Sequence, residues 1–153
     1  MNPEDQLRIP SRPEWGESDP RDLEAEWALE QFLGKNLGDA EELFARNALY
    51  YGEALYSMPP VPLNFYSRAL ASYLTSERAR DDADGASSFL DTLAWILENH
   101  PQDLEPDTKA LLMNAAEHMS ANQTFYDADV SIYNRFSERF NRIKRLSRRP
   151  LPR

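Results

Sequence analysis

Large apolar residues recur at steps of three and four along most of this chain, the spacing that places side chains on one face of an α-helix. The most regular series consists of Leu37, Ala40, Phe44, Ala48, Tyr51 and Leu55. No segment alternates apolar and polar residues as a half-buried strand does. The pattern predicts an all-α protein in which residues 37–55 form one central helix.

Proline and capping residues divide the helical pattern into about six segments. The first segment is predicted to begin after Asp19 as its N-cap, and the third at Pro62. The fourth is predicted to begin at Ser88, the fifth at Pro106 and the sixth at about Asp127. A chain of 153 residues, of which 41% are hydrophobic, can bury one core. We therefore expect a single-domain bundle of helices, either irregular or up-and-down.

The two ends of the chain differ from the helical domain, which is predicted over residues 21–146. Residues 1–20 contain four prolines, so we expect an arm that forms no regular element and lies over the domain, held there by Trp15. Residues 147–153 are predicted to form a basic tail. The chain begins without the basic start and apolar stretch of a signal peptide, which predicts a cytoplasmic protein with no membrane partner.

Charge is divided unevenly along the chain. The net charge is -9, yet residues 135–153 hold eight basic residues against one acidic residue, a net +7 that leaves -16 for the rest. A strongly acidic protein repels nucleic acid and anionic membranes, so neither is an expected partner. The residues best suited to a basic contact are Arg145, Arg148 and Arg149.

The basic segment can either dock on the acidic faces of its own domain or bind outward. The sixth predicted helix carries one apolar stripe that ties the start of the basic segment into the core, formed by Ile132, Tyr133, Phe136, Phe140 and Ile143. No aromatic residue follows Phe140 to stack on bases. We expect docking within the same chain as far as about Leu146, with fraying from Ser147 onward.

Several kinds of catalytic and metal-binding site are excluded, because the chain lacks the required residue type or the required spacing. It contains no cysteine, which excludes disulfides, thiolate metal sites and cysteine nucleophiles. Neither His100 nor His118 stands three or four residues from another histidine or from a glutamate on the same helix face, and the five glycines form no phosphate-binding loop. His100 is expected to interact with free carbonyls at a helix end. We predict no catalytic, cofactor-binding or metal-binding residue and no cofactor.

The connector that begins at Arg80 has part of the pattern of a calcium-binding loop, with Asp82, Asp84 and Gly85 at suitable positions. The first ligand position is occupied by Arg80, which is a cation. We therefore interpret the connector as mobile and metal-free, with Asp84 or Ser87 as the cap of the fourth helix.

A proline-rich turn after the predicted central helix is the candidate partner surface. Tyr56 lies off the apolar stripe, and the turn that follows holds Met58, Pro59 and Pro60. Tyrosine combines an apolar ring with a hydrogen-bonding hydroxyl and loses little entropy on binding. These four residues are predicted to contact a protein partner.

Two short stretches resemble a pattern of small acidic helical proteins of bacteria whose function is unknown. The first runs from Asn64-Phe65-Tyr66 through Ala69 to Tyr73-Leu74, and the second from Asp84-Gly85-Ala86 to Ser88-Phe89-Leu90. The resemblance implies a bacterial source and a helical fold. It carries no catalytic motif, so it implies no functional residues.

These features predict a non-enzymatic protein, of the adaptor or immunity-protein kind, that presents an acidic surface to a protein partner and to a basic one in particular. The alternative is an enzyme or a small-molecule-binding domain whose site assembles only in the fold, with His100 or His118 at a pocket. A cleft with a histidine beside two carboxylates would favour the alternative, whereas an open acidic face rimmed by tyrosine would favour the adaptor.

Deletion of residues 147–153 is expected to leave the free energy of unfolding nearly unchanged, because this tail lies beyond the apolar stripe of the last helix. Deletion from Phe136 onward is expected to prevent folding, since it removes that stripe. Circular dichroism and chemical denaturation of the two truncated chains provide the measurement. Equal stability of the two chains would contradict the assignment of the last helix to the core.

Overall fold

Eight α-helices joined by short turns make up the part of the chain that the computed structural model describes, residues 7–17 and 19–151. The helices are α1 (Leu23–Phe32), α2 (Leu37–Arg46), α3 (Ala48–Gly52), α4 (Pro60–Leu74), α5 (Ala83–Asn99), α6 (Pro106–Ala121), α7 (Val130–Tyr133) and α8 (Phe136–Ser147). No strand occurs in these residues, which confirms the predicted all-α class. Residues 1–6 and 18 of the predicted arm, and 152–153 of the predicted tail, lie outside the described residues.

Short 3₁₀ helices connect several of the α-helices. They span Arg12–Trp15, Glu53–Ser57, Glu77–Ala79, Pro101–Asp103 and Gln123–Tyr126. The first of these differs from the prediction that the arm forms no regular element, because Pro13 is compatible with the start of a helical turn. Within the described ranges, no helix is long and apolar enough to cross a membrane.

The central helix is α4, and not the predicted helix over residues 37–55. Its buried residues cover most of the helix circumference, and beyond its first residue only a narrow stripe of Val61, Arg68 and Ser72 is not buried. The buried residues are Pro62, Leu63, Asn64, Phe65, Tyr66, Ser67, Ala69, Leu70, Ala71, Tyr73 and Leu74. A helix that is buried over most of its circumference must be surrounded by other elements on most sides. The helices α2 and α6 pack along α4, and α8 packs against α5 and α6.

The predicted central helix is instead three shorter segments, because the chain turns at Asn47. The backbone of Asn47 is extended, with a φ of -167°, and its side chain accepts a hydrogen bond from the Tyr50 amide at the start of α3. Asparagine is among the preferred N-cap residues. The apolar spacing continues across this break, since Phe44 and Ala48 are both buried, which is why the periodicity alone predicted one helix.

Three predicted helix starts are corrected by a few residues. The N-cap of α1 is Asp22 and not Asp19, since the Asp22 carboxylate accepts the Ala25 amide. The N-cap of α5 is Asp82, and not Asp84 or Ser87, so Gly85 lies inside the helix. The third start is that of α4, which begins at Pro60 and not at Pro62. Asp22 follows the predicted cap Asp19, and Asp82 precedes the predicted cap Asp84. The preference of N-cap positions for aspartate does not distinguish between two such neighbours.

The predicted sixth helix is also broken, at Asn134, whose φ of 64° ends α7. Ile132, which was predicted to lie on the buried stripe, is 70% exposed. Phe136, Phe140 and Ile143 of α8 are buried, as predicted for docking within the same chain. The basic side of α8 is partly neutralised there, because the Arg139 guanidinium lies 2.7 Å from an Asp91 carboxylate oxygen and Arg142 lies 2.9 Å from Glu98.

Polar side chains of α4 hold the ends of three neighbouring helices. The Tyr66 hydroxyl lies 2.7 Å from the Phe32 carbonyl oxygen and 2.9 Å from that of Lys35, at the end of α1. The Tyr73 hydroxyl donates to the Asp82 carboxylate that caps α5. The Asn64 side chain forms hydrogen bonds to the backbone of Asp103 and Glu105, in the turn before α6. Burial raises the pKa of Tyr66 to about 12, so its hydroxyl remains a donor throughout the physiological range.

The Tyr66→Phe substitution is expected to lower the free energy of unfolding by about 1–3 kcal/mol, because it removes the buried hydroxyl that donates a hydrogen bond at the end of α1. The matched control is Tyr50→Phe, since Tyr50 is 52% exposed and its hydroxyl has no hydrogen bond within the described residues. The control is expected to change stability by less than about 0.5 kcal/mol. Chemical denaturation measures both, and an equal effect of the two substitutions would contradict the anchoring role of α4.

Candidate functional site

A groove of about 610 Å³ lies between the N-terminal arm and the turn that leads into α4. Its lining comes from four stretches that are distant in sequence, within residues 12–17, 22–29, 55–63 and 95–103. The packing of α1 against the 3₁₀ helix Glu53–Ser57 brings two of these stretches together. We call this feature the aromatic groove.

One wall of the aromatic groove is formed by three rings in series. The Tyr56 and Trp95 rings meet edge to face with their centroids 4.9 Å apart, and the Trp95 and His100 rings follow at 5.1 Å. The Tyr56 and Thr92 hydroxyl oxygens lie 3.2 Å apart, which fixes the Tyr56 ring against α5. Burial raises the pKa of Tyr56, so its hydroxyl is neutral at physiological pH. The Tyr56 and Trp95 part of the wall presents uncharged aromatic surface.

His100 is the last of these rings and lies at the end of α5. Its Nδ1 atom is 3.9 Å from an Asp103 carboxylate oxygen. The ring therefore packs beside Trp95 and Asp103, which corrects the prediction that it interacts with helix-end carbonyls. Among the described residues, Asp103 is the one carboxylate within 4 Å of a histidine nitrogen. The arrangement differs from the histidine beside two carboxylates that would favour an enzyme.

The position of Asp103 is fixed from the core by Asn64, a buried residue of α4. The Asn64 side-chain amide donates to the Asp103 carbonyl at 2.7 Å, and its side-chain oxygen accepts the Glu105 amide at 2.8 Å. The same amide group donates to the Pro60 carbonyl at 2.7 Å. Asn64 thus joins the start of α4 to the turn that carries the groove residues His100 and Asp103.

The opposite wall is the arm, which is held by packing and by an ion pair. Trp15 is 8% exposed, and its ring lies 5.9 Å from that of Tyr66. The Arg8 guanidinium makes two hydrogen bonds to the Glu14 carboxylate, at 2.6 and 2.9 Å. The Glu14 carboxylate also accepts the Ser11 amide and hydroxyl. These contacts, with that of Arg8 the largest, lower the pKa of Glu14 to about 2.

Acidic residues surround the aromatic surface. Four carboxylates line the groove, those of Glu17, Asp22, Glu24 and Asp103, against one guanidinium, that of Arg12. Arg12 also donates to the Gly16 carbonyl at 2.8 Å, inside the arm itself. Aromatic faces and carboxylates both attract cations. The aromatic groove is therefore suited to a cationic group that carries apolar surface.

The structure brings three of the four predicted partner-surface residues into this groove. Tyr56, Met58 and Pro59 line it, whereas Pro60 is exposed at the start of α4 outside the lining. Met58 is 6% exposed, so it is a wall residue and not the surface residue that the sequence predicted. Sequence analysis did not identify Trp95 and Asp103 as site residues, because nothing in the local pattern indicates that their segment faces residues 55–59.

The other predicted residues lie elsewhere. Arg145, Arg148 and Arg149 are exposed at the end of α8 and beyond it, and none of them lines the groove. His118 is exposed on α6 beside a separate depression that Arg68 also lines. The two histidines are therefore not part of one pocket. Over residues 7–17 and 19–151, no cluster of three or more histidine, aspartate or glutamate side chains could hold a metal ion.

Acid is expected to loosen the turn inside the arm in a defined pH window. Because the pKa of Glu14 is lowered from 4.5 to about 2, its ion pair stabilises the fold fully above about pH 4.5 and loses that effect as the pH falls to about 2. A carboxyl carbon NMR titration is expected to give a midpoint near 2 in the wild type and a higher one in Arg8→Ala. Identical midpoints would show that Arg8 does not hold Glu14.

Comparison with protein-family models, curated proteins and solved structures finds no match for this chain. The feature with the most distinctive chemistry is the aromatic groove, a negatively charged cavity with tryptophan and tyrosine in its wall.

Proposed function

We propose that the protein is a non-enzymatic binding protein whose aromatic groove holds a basic segment of a protein partner. The observation that supports this most strongly is the paired Tyr56 and Trp95 rings in a groove that four carboxylates line. A cytoplasmic location, as expected from the sequence, belongs to the same proposal.

The energetics favour an arginine or lysine side chain in the groove. A cation over a tryptophan or tyrosine face gains about 0.5–2 kcal/mol, depending on how far it is removed from water. The methylene groups of the same side chain can cover Met58 and Pro59, which carry no charge. The acidic body of the chain, at -16 before residue 135, would attract a basic partner from a distance and raise the rate of association.

A small organic cation is the second candidate ligand, and two observations favour it. The volume of about 610 Å³ is in the range of small-molecule pockets. The His100 ring, whose Nδ1 atom lies 3.9 Å from an Asp103 carboxylate oxygen, adds nitrogen atoms that can hydrogen-bond a small ligand. A basic peptide segment is the stronger candidate because the four carboxylates come from three stretches of the chain, the arm, the start of α1 and the turn after α5, and not from one.

Binding of a capped Gly-Arg-Phe-Arg-Gly peptide, measured by calorimetry, is expected to be detectable and to weaken as salt is added. The glutamate counterpart of this peptide is expected not to bind. Glu24→Gln removes one groove carboxylate and is expected to weaken binding about threefold. Trp95→Leu removes the central ring and is expected to weaken it about tenfold.

The matched control is Glu30→Gln, which removes an exposed carboxylate of the same helix that does not line the groove. It is expected to leave the dissociation constant within about 1.5-fold of the wild type, because surface charges outside the contact are screened by salt. Equal effects of Glu24→Gln and Glu30→Gln would place the binding outside the groove. Binding of arginine amide as tightly as the peptide would favour the small-molecule candidate.

A further inference from the structure

The chain itself carries a segment with the chemistry that the aromatic groove accepts. We infer that the groove binds the C-terminal tail, residues 148–153, of a second copy of this protein, so that copies associate head to tail. This inference rests on the proposed function and names one partner for the same groove.

The described residues of the tail, 148–151, follow a fixed point at the end of α8 and are exposed. The last turn of α8 is held by burial of Leu146 and by the Lys109 ammonium group, which donates to the Ser147 carbonyl at 2.7 Å. Arg148 and Arg149 follow, both exposed, and neither makes an ion pair within the described residues. Most basic side chains nearer the core form ion pairs or hydrogen bonds, but within the described residues the side chains of Arg148 and Arg149 do not.

Charge and shape make the tail complementary to the groove. Two adjacent arginines are followed by Pro150 and Leu151, and Leu151 is 59% exposed. The arginines match the groove carboxylates and the Trp95 ring, and the proline and leucine match its apolar wall at Met58. Proline fixes its own φ and restricts the residue before it, which reduces the entropy lost when the tail is bound.

The occupant is a second copy because the tail of the same copy is outside its own groove. No residue from 148 to 151 contributes to the lining, and Leu151 faces solvent. A contact between two different surfaces of one protein is heterologous. Such contacts produce rings or open chains of copies instead of a symmetric dimer.

Sedimentation velocity over a range of protein concentrations provides the first test. The wild type is expected to associate as its concentration rises, and less so at high salt. The double substitution Arg148→Glu/Arg149→Glu is expected to weaken association at least about tenfold. The control Arg46→Glu/Arg135→Glu makes the same change in net charge at two exposed arginines outside the tail, and is expected to associate nearly as the wild type does.

Mixing two variants provides the second test. Glu17→Lys/Glu24→Lys reverses charge in the groove and leaves the tail intact, whereas Arg148→Glu/Arg149→Glu leaves the groove intact. Neither variant is expected to associate alone, but their mixture is expected to associate, because one intact tail then meets one intact groove. Circular dichroism of each variant confirms that it is folded. A mixture that stays monomeric would overturn the inference, as would a tail variant that associates like the control.

The outcomes separate this inference from the proposed function. If the wild type remains monomeric at all concentrations but binds the Gly-Arg-Phe-Arg-Gly peptide in a Glu24-dependent way, the second-copy inference fails and the groove keeps its proposed function. If the truncated chain lacking residues 148–153 binds this peptide more tightly at every concentration, the tail occupies the groove of its own copy, and the inference fails too. If neither peptide nor tail binds, both fail.

Discussion

The burial of most of the surface of α4 is the constraint on which the rest of the structure depends. Buried polar groups need hydrogen-bond partners inside the protein, and three polar side chains of α4 find theirs at the ends of other helices. Tyr66 reaches the end of α1, Tyr73 reaches the cap of α5, and Asn64 reaches the turn before α6. The apolar residues of α4 supply the driving force for packing, and these hydrogen bonds fix where each neighbouring helix begins or ends.

The aromatic groove follows from this arrangement. Asn64 holds the turn that carries His100 and Asp103, and the neighbouring Tyr66 packs against Trp15 of the arm. Both walls of the groove are therefore connected to one buried helix, although no residue of the groove's aromatic wall belongs to it. A site supported in this way can hold its rings and carboxylates in place before a ligand arrives, which lowers the entropy cost of binding.

The sequence was sufficient for the features that local chemistry determines. The all-α class, the start of α6 at Pro106 and the burial of Phe136 and Phe140 all follow from periodicity and proline. The break at Asn47 was missed because the apolar spacing continues through it. The break at Asn134 was missed because Ile132, which is exposed, has the spacing of the buried stripe that begins after this break. The groove was mostly missed for a different reason: Trp15, Tyr56 and Trp95 are brought together by long-range packing that no local pattern encodes.

The three tryptophans of the chain provide the most direct measurement of the central claim, that the groove is a binding site for basic segments. Trp15 and Trp95 line the groove, while Trp27 packs against Tyr50 and Tyr51 outside it. In nitrogen-15 NMR spectra, each indole N–H gives its own signal, assigned by single Trp→Phe substitutions. On titration with the Gly-Arg-Phe-Arg-Gly peptide, the account predicts that the Trp95 signal moves and the Trp27 signal does not. A shift of Trp27 with Trp95 unmoved would contradict it.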